Sequence, residues 1–344
     1  MDSNETSSAL EPLFIPAEAP VGVLSDKALA DVSPDDLRRA VNDLPFNTIY
    51  DYIRTGVQLM TQSGETTRAI AIITEFEEMM ASAGDNDRLS LDIHAALMQV
   101  LAGLQSAAGN DDAALSAAAS TLALLAQEPR RKDEPFLAVL ASVLYDMALI
   151  YNARGEYPHA ERSLEKSARL FARLAKISPE RYAPVHVVVL DALAKVCRKA
   201  GAQAEALKNC QEATARYIEM TREGLMDDAV ARLADSLAEQ GLTLAKMGRH
   251  REAIQYLSRA LRYMTKLQPD MDKRQLSIST QLGISLLLHK PTRDKGIHLL
   301  NTMLHKASRL GDAELHRRIV DVLADARTPV RLDILGVWHK IFPR

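Results

Sequence analysis

The chain has 344 residues, a formal net charge of -3, 47% hydrophobic but only 5% aromatic residues, and two cysteines. That balance supplies no global field to draw nucleic acid or an anionic membrane. Two cysteines make neither a disulfide framework nor a CxxC zinc pair, and alanine- and leucine-rich text with little glycine or proline favours packed helices over sheet, so an all-α chain is the first expectation.

Residues 1–32, with "EPLFIPAEAP" and several serines but no helical periodicity, read as a flexible acidic N-terminal arm. The N-terminus lacks the basic-then-apolar order of a secretory signal, and no apolar run approaches the roughly 18 to 20 residues of a membrane span, so a cytoplasmic location is expected. At Ser33 the text changes. "SPDDLRRAV" puts Ser33 at an N-cap, Pro34 at the first helical position and acids in the first turn, which predicts a helix start.

From there one pair of residues recurs: Gly64 with Ala69, Gly109 with Ala114, Gly155 with Ala160, Gly201 with Ala206 and Gly248 with Ala253. Successive glycines stand 45, 46, 46 and 47 residues apart, the regularity of a stacked array. Upstream of each glycine runs a helical stripe, as in Leu144, Met147, Ala148 and Tyr151; downstream a second runs back, as in Ala160, Leu164 and Ser167. Glycine tolerates the left-handed conformation that ends the first helix, and the small alanine lets the second helix approach closely. A degenerate sixth unit follows in "LGISLLLHKPTRDKGIHLL", whose turn has gained a residue and where Gly296 replaces the alanine. The expected organisation is therefore an array of about six helix pairs over 33–310 and capping helices over 311–344. The last segment holds Trp338 beside Leu335, Val337, Ile341 and Phe342, an apolar surface that needs cover from the sixth unit or from a second copy. Nine acids against three bases in residues 1–46, and eleven bases against six acids in 289–344, leave the ends oppositely charged and allow homo-oligomer formation through them.

"LYDMALIYNARGEYPHAERSLEKSA" and "LAEQGLTLAKMGRHREAIQYLSRALRYMTKLQP" resemble the tetratricopeptide repeat family, in its long-helix form similar to the arrays of kinesin light chains and bacterial peptide-sensing regulators. The resemblance implies an α-solenoid, a right-handed superhelix of antiparallel pairs, with the first helix of each pair lining a concave face. By the same resemblance, residues thirteen, ten, six and three before each turn glycine face the groove. These are Asp51, Arg54, Gln58 and Thr61; Ala96, Gln99, Gly103 and Ser106; Ser142, Tyr145, Leu149 and Asn152; Val188, Asp191, Lys195 and Arg198; and Asp235, Ala238, Leu242 and Ala245. Tyr145, Leu149, Asn152, Asp191, Lys195, Arg198 and Asp235 are the candidate partner-binding residues: Asn152, Lys195 and Arg198 for an anionic group or backbone amide, Tyr145 and Leu149 for an apolar side chain.

No HExxH, histidine triplet, phosphate-binding loop, dinucleotide fingerprint or nucleophile elbow occurs, so no catalytic residue, metal or cofactor is expected. The function expected is a non-catalytic interaction module or scaffold that binds a peptide or protein, and neither nucleic acid nor membrane. A peptide-responsive regulatory sensor and a structural subunit of a larger complex are the alternatives.

Overall fold

The computed structural model describes Ile15, Leu24 and residues 27–82, 88–127, 131–224 and 228–327. Among them there are fourteen α-helices and no strand. In chain order these are α1 (Pro34–Asp43), α2 (Phe46–Gln62), α3 (Thr66–Ser82), α4 (Arg88–Ala107), α5 (Asp111–Leu125), α6 (Glu134–Ala153), α7 (Tyr157–Ile177) and α8 (Pro179–Ala200). Then follow α9 (Gln203–Glu223), α10 (Ala229–Lys246), α11 (His250–Leu267), α12 (Lys273–Leu288), α13 (Arg293–Arg309) and α14 (Ala313–Arg327).

The glycine-alanine pair does what its chemistry requires. Gly64, Gly109, Gly155, Gly201 and Gly248 all have φ between 74 and 87°. The next residue's N–H returns to the carbonyl five positions earlier, as in Glu156 to Tyr151 at 2.8 Å and Arg249 to Leu244 at 2.9 Å, which ends the first helix with its last carbonyls satisfied. The five partner alanines are each fully buried. The sixth turn has no such glycine; His289 leads into a 3-10 turn, Lys290–Thr292, before α13. That extra residue crowds the start of α13, where a Cβ on Gly296 would stand 2.4 Å from the backbone nitrogen of Leu287.

The described chain forms two compact units, one ending at Val196 and the other beginning at Cys197. In the first, α4 packs on α5 and α6 on α7, and α4 lies directly against α6. In the second, α9 to α14 pack each on the next, and Leu315, Ile319, Val322 and Leu323 of α14 complete a core with Leu276, Leu300 and Met303. Cys197 and Cys210 are buried, as small apolar residues are. Among the described residues one helix, α6, is long and apolar enough to cross a membrane by length and composition, but 67% of that window is buried inside the fold.

Ser33 caps α1 as its sequence predicts, with Asp36 closing the capping box. Some of the described residues before it are held against the array. Ile15, Leu24 and Leu29 are buried, Leu29 sits where a Cβ on Gly56 would be 2.5 Å away, and the Tyr52 hydroxyl donates to the Lys27 carbonyl at 2.8 Å. The reason is positional: α2 opens the array, so no earlier helix pair covers its outer face. The rest of 1–32, and 328–344 with Trp338, lie outside the described residues.

Candidate functional site

The spacing-assigned wall positions of the first unit separate into two tiers. Toward the helix starts, Asp51, Ala96, Gln99, Ser142, Tyr145 and Asp191 are buried, while Arg54 and Val188 are half-buried. Toward the turns, Gln58 is exposed, and Thr61, Gly103, Ser106, Leu149, Asn152 and Lys195 are half-buried. The first tier is a floor and the second is reachable from solvent.

A directed chain of hydrogen bonds holds the floor. Arg54 Nη1 donates to the Tyr50 hydroxyl at 3.0 Å, that hydroxyl to Gln99 Oε1 at 2.6 Å, and Gln99 Nε2 to Asp146 Oδ2 at 2.5 Å, so α2, α4 and α6 are stitched together. Arg54 can only donate and an ionised carboxylate only accept, which sets the direction of every link. The guanidinium also lies over the Tyr50 ring, 5.2 Å from its centroid, and 3.5 Å from Ser142 Oγ. Burial pushes the Asp146 carboxyl from the ordinary 3.8 up to about 6, against the opposing pull of the Gln99 amide and the Arg54 charge.

A second set ties α2 to α8. Arg181 grips Asp51 with both terminal nitrogens, one at 2.6 Å, although the two residues are 130 positions apart. Asn47 and Tyr182 both donate to Glu134 Oε1, at 2.9 and 3.0 Å. In a simple stack each pair touches only its neighbours; here the first pair's α2 is bonded to α8, the first helix of the fourth. Asp191 pairs with Lys195 at 2.9 Å, and its other oxygen is enclosed without a hydrogen-bond donor. Asp51, Asp146 and Asp191 are thus each met by a basic or amide group.

This corrects the expectation for three candidates. Tyr145 is 1% exposed, Asp191 7% and Arg198 6%, so none offers its side chain to an open groove. In the second unit, Arg198 Nε donates to Glu239 at 2.8 Å, and Asp235, half-buried, pairs with Arg274 at 2.8 Å. Of the seven candidates, Leu149, Asn152 and Lys195 stand in the reachable tier of the first unit. Sequence reasoning missed Tyr50, Asp146, Glu134 and Arg181. Asp146 alone carried a signal, as a carboxylate one residue beyond a wall position within a run of apolar residues.

Neither a protein-family model nor a curated protein matches this sequence. Solved structures do resemble it. BtubC from P. vanneervenii is 19% identical, with a TM-score of 0.56, over 72% of this chain and 95% of that one. A signal transduction ATPase with a tetratricopeptide repeat sensor, from Pyrococcus horikoshii, is 15% identical with a TM-score of 0.59, over 90% of this chain and 43% of that one. A variant of a Podosopora anserina protein described as a putative kinesin light chain with TPR-like repeats is 20% identical with a TM-score of 0.50, over 69% and 98%. With its period, its turn geometry and these likenesses, the chain has the fold of a tetratricopeptide-like helical repeat solenoid.

Proposed function

We propose that this chain is a non-catalytic interaction module that takes an extended peptide or a protein segment along the reachable tier of the inner wall, over α4, α6 and α8. The observation that carries the proposal is the contrast between the tiers. The floor is cross-bonded, which holds its shape before any partner arrives and limits the entropy lost on binding. Above it, Gly103 and Ser106 leave room, Leu149 offers an apolar surface, and Asn152 and Lys195 offer donors suited to backbone carbonyls or an acidic side chain. The likeness to a protein described as carrying a tetratricopeptide repeat sensor supports a binding role.

The test places a photo-crosslinking amino acid at Leu149 in the full chain, expressed in its own cells, with a control at exposed Lys166 on α7. A discrete partner captured from Leu149 and absent from Lys166, and lost when Asn152 and Lys195 are both replaced by alanine, supports the proposal. Equal capture at both positions, or indifference to the double replacement, overturns it.

A further inference from the structure

The sixth turn departs from the other five in chemistry as well as in shape. Beside its 3-10 turn, against the start of α11, lies an open depression of 670 Å³. Arg249, His250, Arg251 and Glu252 line it from α11, and His289 and Lys290 from the turn. Glu252 is the one carboxylate among the lining residues, and Arg249 holds both its oxygens at 2.7 Å, which keeps it ionised and neutralised. What remains is Arg251, Lys290 and two imidazoles, with no second acid among the lining residues to balance them.

Hydrogen bonds hold one imidazole in place. Thr292 has a single hydroxyl proton, directed at the carbonyl of Leu286 at 2.9 Å or of His289 at 3.1 Å. His289 Nδ1 also lies 3.1 Å from that hydroxyl oxygen, so Thr292 holds the ring in place beside the depression. Burial holds the His250 ring below its usual 6.5, and the charge of His289 pushes it the same way. His250 therefore resists charging until something negative lies beside it.

We propose that this depression binds a tetrahedral oxyanion, a phosphate either free or carried as a phosphomonoester, with Arg251, Lys290, His250 and His289 supplying the countercharge. Arginine and lysine are the side chains best suited to that geometry and charge. A bound anion favours the charged His250 ring that burial disfavours, so binding takes up a proton and tightens as pH falls through the histidine range. Nothing in this site depends on the inner wall, so it stands or falls independently of the proposed peptide site.

Sulfate is the probe of choice, because it stays dianionic from pH 5 to 8 and any pH dependence belongs to the protein. Imidazole proton resonances of the full chain, assigned with His250→Gln and His289→Gln, are followed during sulfate titration at pH 6 and pH 8 against chloride at equal ionic strength. The proposal expects both resonances to move and saturate, with binding at least about threefold tighter at pH 6. Arg251→Gln with Lys290→Gln should weaken it by about tenfold, and circular dichroism of that variant confirms that it is folded, since both residues are exposed. Inorganic phosphate and phosphoserine, titrated in parallel, distinguish a free anion from an ester. Non-saturating shifts, equal affinity at both pH values, or an unaffected double variant overturn the assignment.

Discussion

Replacing Asp146 by asparagine should stabilise the protein at neutral pH, an unusual outcome for a buried polar residue. At pH 7 the native state keeps an ionised carboxylate that is 7% exposed and whose bonded partner is the neutral Gln99 amide. Raising the group from 3.8 to about 6 costs roughly 3 kcal/mol at 1.36 kcal/mol per pH unit. The sign follows from linkage. Between those two values the folded chain binds the proton more tightly than the unfolded chain, so the contribution is fully present below about pH 4 and lost as pH rises through about 6. Asparagine keeps the shape and an oxygen for Gln99, but forfeits attraction to Arg54 and adds an amide that needs acceptors, so a net gain of about 1 to 2 kcal/mol is expected at pH 8. Urea midpoints of parent and variant, followed by circular dichroism at pH 5, 6, 7 and 8, measure it. The gap should close toward pH 5. A variant less stable than the parent at pH 8, or a difference that ignores pH, would refute the reasoning by showing that the ionised carboxylate is net favourable where it stands.

Four further outcomes are expected. Asp51→Ala leaves the Arg181 guanidinium enclosed without its carboxylate and should cost about 3 to 5 kcal/mol, with much of the loss recovered by adding Arg181→Met; a thermal melt of both variants measures this, and an unaffected single variant contradicts the clasp between α2 and α8. Ala160→Leu should cost about 1 to 3 kcal/mol in urea titration, because its site is fully closed by α6. Gly248→Ala forces a Cβ into the left-handed region, φ 74°, and should cost about 1 to 2 kcal/mol on the same measure. Ser33→Ala removes one side of a capping box and should cost about 1 kcal/mol, read most directly as faster amide exchange over α1.

The spacing of small residues made the helix pairs legible, because Gly155 and Ala160 each answer a local requirement: a left-handed turn and a close helix crossing. Gly296 shows the same logic at work where the pattern breaks, since the added turn residue moves the crossing and even a methyl group no longer fits. Asp51, Gln99 and Ser142 are buried and hydrogen-bonded to other helices of the first unit. How far the helices stand apart was not legible. The distance is the accumulated result of every intervening crossing, so nothing near Asp51 announces Arg181, and nothing near Gln99 announces that Asp146 will end its hydrogen-bond chain. Tyr145 was misjudged for the same reason: its spacing pointed inward, but inward is packed rather than open.

The central claim is that a partner lies along the turn-proximal tier of the inner wall of the first unit. Hydrogen-deuterium exchange of the full chain, with and without the partner captured through Leu149, tests it most directly. The account predicts slowed exchange concentrated in the C-terminal halves of α4 and α6 and across α8 up to Val196, with α5 and α7 unchanged. Protection confined to α5 and α7, or spread evenly over all five, would contradict it.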